Sequence, residues 1–201
     1  MGKVDQNKQQ KENSLLKTAF EFFTTKGFSK TSISDIVGKA GVAKGTFYLY
    51  FKDKYDIRNK LVSHKSSQLF NKAIDGLKDK FEGVTFEDKI VMLIDNIINQ
   101  LNENKSLLTF ISKNLSWGVF KSAITTPATE GDVNFLDVYY KMLDEAPYEF
   151  REPELMMFMI IELVSSTCYS TILYSEPCGI EKLKPYLFSS IRNMIESHKV
   201  K

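Results

Sequence analysis

TSISDIVGKAGVAKGTFYLYFKDKY, residues 31–55, reads as a helix, a tight turn and a second short helix, followed by a Phe that re-enters a core. Ser32 with Asp35 three residues on has the pattern of a capping box, in which each side chain satisfies the other's free backbone N–H. Ile33, Ile36, Val37 and Ala40 recur at helical spacing and form one apolar face. Gly41 supplies the positive φ that ends such a helix, and Val42 fills the angle between the two. The second helix runs from about Lys44 to Tyr50, with Phe47 and Phe51 inward, one turn apart. Lys44, Gly45, Thr46, Tyr48 and Leu49 are left facing out. A two-turn helix with a free N-terminus and that surface suits a DNA major groove, where its first residues reach base edges. A helical hairpin on the surface of a bundle also fits helix–Gly–helix, because such turns are common. Against it stands Tyr-x-Tyr-Phe-x-x-Lys, which hangs Tyr48, Tyr50 and Lys54 outward around Phe51, with phosphate oxygens as natural acceptors.

Residues 14–60 resemble the DNA-binding domain of the TetR (tetracycline-repressor) family of bacterial regulators. The resemblance is carried by Ala19-Phe20-x-x-Phe23, Lys26-Gly27-Phe28, Thr31-Ser32-Ile33-x-Asp35-Ile36, Ala40-Gly41-Val42, Lys44-Gly45-Thr46-Phe47-Tyr48-x-Tyr50-Phe51 and Lys54. It implies a homodimer, a palindromic double-stranded DNA operator and a C-terminal effector-binding domain. On this reading Ser32, Tyr48, Tyr50 and Lys54 contact phosphate. Lys44 and Thr46 reach base edges or phosphate, Gly45 permits close backbone approach, and Leu49 completes the outward face. Position 43 is often a hydroxyl residue in the family; Ala43 can neither cap the recognition helix nor donate to phosphate. Gly38, inside the first hairpin helix, costs roughly 1 kcal/mol relative to Ala, and either admits close packing or is merely tolerated.

Charge is distributed in the sense this requires. Residues 1–60 carry a net +6 and the remainder a net −4, within a chain of 201 residues whose overall charge is +2. The basic end is the one that would neutralise phosphates, although a solvated basic face gives the same excess. No secretion signal is visible. Cys168 and Cys178 form neither metal spacing nor a disulfide framework, so a reducing cytoplasm is the expected compartment, which the resemblance implies to be bacterial.

The expected fold is all-α, about nine helices: a mobile arm (1–10), a three-helix helix-turn-helix domain (11–52) and a helical effector-binding and dimerisation domain (53–201). Gly27 ends a first helix from about Lys11, whose buried stripe is Leu16, Ala19, Phe20 and Phe23. A long connector helix runs from Asp53 to about Lys80. Gly83 interrupts it, and further helices are expected at 86–101, 106–117 and 134–145. Gly118 to Gly131 is either a lid or a plain connection.

Residues 155–175, LMMFMIIELVSSTCYSTILYS, are apolar almost all round. Glu162 and the hydroxyls at 165–167, 170 and 171 argue against a membrane span. A helix apolar on every side is buried on every side, and a second subunit can supply the missing cover. With a final helix at 181–198 this predicts a four-helix dimer interface.

Candidate effector contacts are Phe110, Trp117, Phe120, Phe135, Tyr139, Met156, Met159, Glu162, Cys168 and Tyr169, a set suited to a small apolar or aromatic molecule. The same residues also serve as plain core. Glu162 either meets a cationic ligand or pairs at the dimer interface. His64 and His198, the only histidines, build no catalytic set, and no phosphate loop or metal cluster appears; no enzyme, cofactor or metal is expected. The reading is a ligand-responsive repressor released from its operator by effector. Its rivals are a constitutive or architectural DNA-binding protein and a protein-interaction bundle.

Overall fold

The computed structural model describes residues 3–114, 121 and 135–200. Among these the chain is all-α. In order come α1 (Lys3–Thr25), α2 (Ile33–Ala40), α3 (Lys44–Tyr50) and α4 (Lys54–Asp75). A 3-10 turn (Lys78–Lys80) precedes α5 (Phe86–Glu103), α6 (Lys105–Asn114), α7 (Phe135–Asp144), α8 (Pro153–Tyr174) and α9 (Ile180–His198).

Helix α1 starts at Lys3, so residues 3–10 are two helical turns and not the aperiodic arm expected from their composition. Lys and Gln are good helix formers, and the helix continues upstream without an apolar stripe. Farther along, Leu15, Ala19 and Phe23 are buried with Ile36, Val37, Phe47 and Phe51. The α1 aromatics also reach the bundle: Phe20 meets Phe110 of α6 edge-on at 5.2 Å, and Phe23 stacks on it at 6.4 Å.

The connector α4 begins where the Asp53 carboxylate accepts from the N–H groups of Tyr55 and Asp56, and it ends at Gly76 rather than near Lys80. Gly83 turns the chain with φ +69°, and Thr85 caps α5 by accepting from the Asp88 N–H.

Pro153 occupies the first turn of α8, where its missing N–H has no helical partner to lose. Helix α8 is long and apolar enough to cross a membrane by length and composition. It packs against α9, α6 and α5. Its other face is an exposed stripe of Leu155, Met159, Glu162, Ser166, Ser170 and Tyr174.

Ion pairs tie α9 to α5. Lys184 pairs with Asp95 at 3.0 Å, and Arg192 with Asp88 at 2.6 Å. Past α9 the main chain returns to the α7–α8 loop: the Arg151 N–H donates to His198 and the Val200 N–H to Glu149. There Lys199 and the Tyr148 hydroxyl both donate to the Glu87 carboxylate, at 2.6 Å each. Burial and the hydrogen bond to Glu87 push the Tyr148 phenol up to about 12. Burial alone would raise the Glu87 carboxyl, but the hydrogen bonds from Lys199 and Tyr148 outweigh it and hold the group below its ordinary value.

Candidate nucleic-acid interface and effector cavity

The hairpin α2–α3 is held from both ends of α2. Ser32 Oγ accepts from the Asp35 N–H while the Asp35 carboxylate accepts from the Ser32 N–H, a complete capping box. These bonds from Ser32 hold the Asp35 carboxyl below its ordinary value. Gly41 adopts φ +69°, which an L-residue rarely does, and the next N–H, from Val42, returns to the Val37 carbonyl. Ala43 makes no side-chain cap, leaving the α3 N-terminus open.

Phe47 and Phe51 are buried beneath α3, their rings 5.4 Å apart. Packing on that side fixes what the other side shows. Lys44 and Gly45 are exposed, Leu49 is 81 % exposed and Tyr48 53 %. Thr46 is half-buried at the flank. The Tyr50 hydroxyl donates to the Lys8 carbonyl at 3.1 Å, so this side chain is tied to α1. Ser32 lies exposed at the start of α2, its hydroxyl engaged with Asp35.

Lys54 is a correction. Its ammonium does not hang outward; it donates to the Phe28 and Thr31 carbonyls at 2.9 Å each, 4.4 Å above the Phe28 ring. The loop before α2 exposes two carbonyls with no helical partner, and the first residue of α4 lies within reach of both.

An apolar cavity of about 130 Å³ lies between α4, α5, α6, α7 and α8. Leu69, Phe70, Ile94, Leu108, Ile160 and Val164 are among its walls, with Phe135, Tyr139 and Cys168 from the expected set. Burial pushes the Tyr139 phenol above its usual range and the Cys168 thiol up to about 11. The Tyr139 hydroxyl donates to the Pro153 carbonyl at 2.8 Å.

The remaining expected contacts lie elsewhere. Phe110 faces Phe20 and Phe23. Met156 is core, and its neighbour Met157 takes the place on the wall. Met159 and Glu162 sit on the exposed face of α8, and Tyr169 is edge-on to Tyr174. The places of Met156, Met159, Glu162 and Tyr169 follow from the rotation of α8, which a sequence apolar all round does not reveal. Trp117 and Phe120 lie outside the described residues. The aliphatic walls contributed by α4 and α5 are not among the expected contacts, and Ser66, on a polar-looking stretch of α4, gives no sequence signal of its place at the cavity.

Residues 15–61 match the family model described as bacterial regulatory proteins, tetR family. Among curated proteins the chain is 35% identical over 107 residues to the HTH-type transcriptional regulator YvdT of Bacillus subtilis, covering 53% of each. It is 31% identical over 100 residues to the fatty acid metabolism regulator protein of the same organism, covering 50% of each. The chain thus spans about half the length of the curated relatives it matches. Among solved structures it resembles FadR from Bacillus subtilis in complex with stearoyl-CoA, at TM-score 0.60 and 21% identity over 89% of this chain and 96% of that one. At that identity the likeness speaks to the fold alone.

Proposed function

We propose that this chain, whose residues 15–61 match the tetR-family model, is a DNA-binding transcriptional repressor of that family that acts as a homodimer and is released by a small apolar effector. The observation that carries the reading is α3 itself. Two buried Phe residues anchor one side, while Lys44, Gly45, Tyr48 and Leu49 stand exposed on the other. A large apolar side chain and a phenol held out on a short helix are costly surface unless a partner covers them. A major groove accepts a helix of this size from its N-terminal end.

The exposed stripe of α8 supports dimerisation. It joins Leu155, Met159 and Tyr174 to Glu162, Ser166 and Ser170, a mixture that a protein surface satisfies and a lipid tail does not. With Tyr186 of α9 also exposed, a second copy placed about a two-fold axis would bury both helices and put two α3 helices on one face, in the cytoplasm. The cavity supports an effector, and one relative is named a fatty acid metabolism regulator and one structural neighbour a fatty acid degradation regulator.

Genomic fragments retained by the full chain at modest salt, then sequenced, test the proposal. Recovery of a shared inverted repeat is the expected result. A monomer in sedimentation that retains no fragment above background overturns the reading.

A further inference from the structure

We propose that the cavity takes a neutral molecule of about one ring, or a short aliphatic chain of similar bulk, bearing a single hydroxyl or carbonyl that meets Ser66 Oγ. The inference rests on the reading of the chain as an effector-responsive regulator and specifies the chemistry of the effector.

Ser66 is 2 % exposed, lines the cavity from α4, and its hydroxyl has no hydrogen-bond partner among the described residues. Helical hydroxyls ordinarily turn back to the carbonyl one turn earlier. In this chain Thr167 does so to Leu163 at 2.7 Å and Thr171 to Thr167 at 2.6 Å. Ser66 does not, and an unmet buried hydroxyl is unfavourable.

The walls offer it little relief. The Tyr139 hydroxyl is committed to the Pro153 carbonyl, and the Ser165 hydroxyl lies 3.3 Å from the Glu162 carbonyl. A trapped water needs two to four polar partners, and beyond Ser66 and these two committed groups the described wall adds only the Ser112 hydroxyl and the Cys168 thiol. A molecule with one polar atom and an apolar body needs only one.

Size and charge narrow the class. At about 130 Å³ the cavity is close to the roughly 150 Å³ apolar cavity that admits benzene. No charged side chain stands among its described lining residues, so an ionised ligand would be buried without compensation. Serine both donates and accepts, so a hydroxyl or a carbonyl serves equally.

Phenol and toluene have nearly the same shape and differ at one group. Calorimetric titration of the full chain and of Ser66→Ala with each, with benzoate and stearoyl-CoA as further probes, tests the proposal. The parent chain should bind phenol at least about fivefold tighter than toluene, and Ser66→Ala should shrink that gap below about twofold while its melting temperature holds. Equal binding of phenol and toluene by the parent overturns the inference, as does a gap that survives in Ser66→Ala. Binding of benzoate or stearoyl-CoA but neither neutral probe overturns it too. Retention of operator fragments is measured in parallel without probe. Intact DNA binding alongside any of those overturning results removes the Ser66 inference and leaves the DNA-binding reading standing, whereas lost DNA binding strikes that reading itself.

Discussion

The Lys54 ammonium sits 2.9 Å from the carbonyl oxygen of Thr31, and so the first residue of α4 closes the loop that leads into α2. With the Phe28 carbonyl and ring as its other neighbours, this lysine is a structural fastening of the reader before it is anything else. Hydrogen bonds from a charged donor are worth about 1.5–3 kcal/mol. Lys54→Ala should therefore lower unfolding stability by roughly 1.5 kcal/mol, read from the urea midpoint at constant m-value. A midpoint unchanged from the parent would show that the two carbonyls are satisfied without it.

Tyr48 and Lys44 carry no such duty. Tyr48→Ala should leave the urea midpoint within about 0.5 kcal/mol and weaken operator binding. Lys44→Ala should weaken binding across sequences and reduce the salt slope by about one. Anisotropy titrations at three salt concentrations read both effects. A Lys44→Ala slope equal to the parent's would place that ammonium away from phosphate.

Gly38 and Gly45 form a matched pair. A Cβ built at either meets nothing within 4 Å, and neither has a positive φ, so close packing within the chain does not account for Gly38. Alanine at each position should stabilise the fold by roughly 0.5–1 kcal/mol. Only Gly45→Ala should weaken DNA binding, by about fivefold or more, because only Gly45 lies on the face proposed to approach the duplex. Equal DNA affinity in the two variants would contradict close backbone approach at Gly45.

How far the chain could be read before folding it depended on whether a signal was local. The capping box, the left-handed Gly41 and the Phe47–Phe51 anchor are set by neighbours within a turn or two, and the expected and observed residues agree. Lys54 was legible as a cation but not as a loop fastener, since its acceptors lie 23 and 26 positions upstream. The start of α1 was missed because KVDQNKQQ has helix-forming residues without an apolar stripe. Met156 and Met157 could not be told apart, because a helix apolar all round gives no phase. Ser66 was hidden in VSHKSSQ, where nothing marks one hydroxyl as facing a cavity assembled from five helices.

Tyr148, Glu87 and Lys199 predict a pH dependence. A group whose folded pKa is raised favours the fold fully below its unfolded value and loses that contribution as pH climbs toward the folded one. For Tyr148 the window runs from 10.0 to about 12. Glu87 is depressed, so its contribution is present above 4.5 and fades as pH falls below it. Tyr148→Phe should cost about 1 kcal/mol at neutral pH, and its deficit relative to the parent should shrink as pH rises through the alkaline window. Paired urea midpoints at pH 7 and pH 11 measure this. A deficit that stays constant would mean the phenol is no harder to ionise in the fold than out of it.

Cys168 sits on the cavity wall with its thiol pushed up to about 11, whereas Cys178 is only half-buried in the segment before α9. Thiolates, not thiols, react with alkylating agents, so a maleimide dye at neutral pH should attach at position 178 and spare 168. Slow modification of Cys168 would then clock the breathing of α8 away from its neighbours, and it would do so in the native molecule without any engineered label.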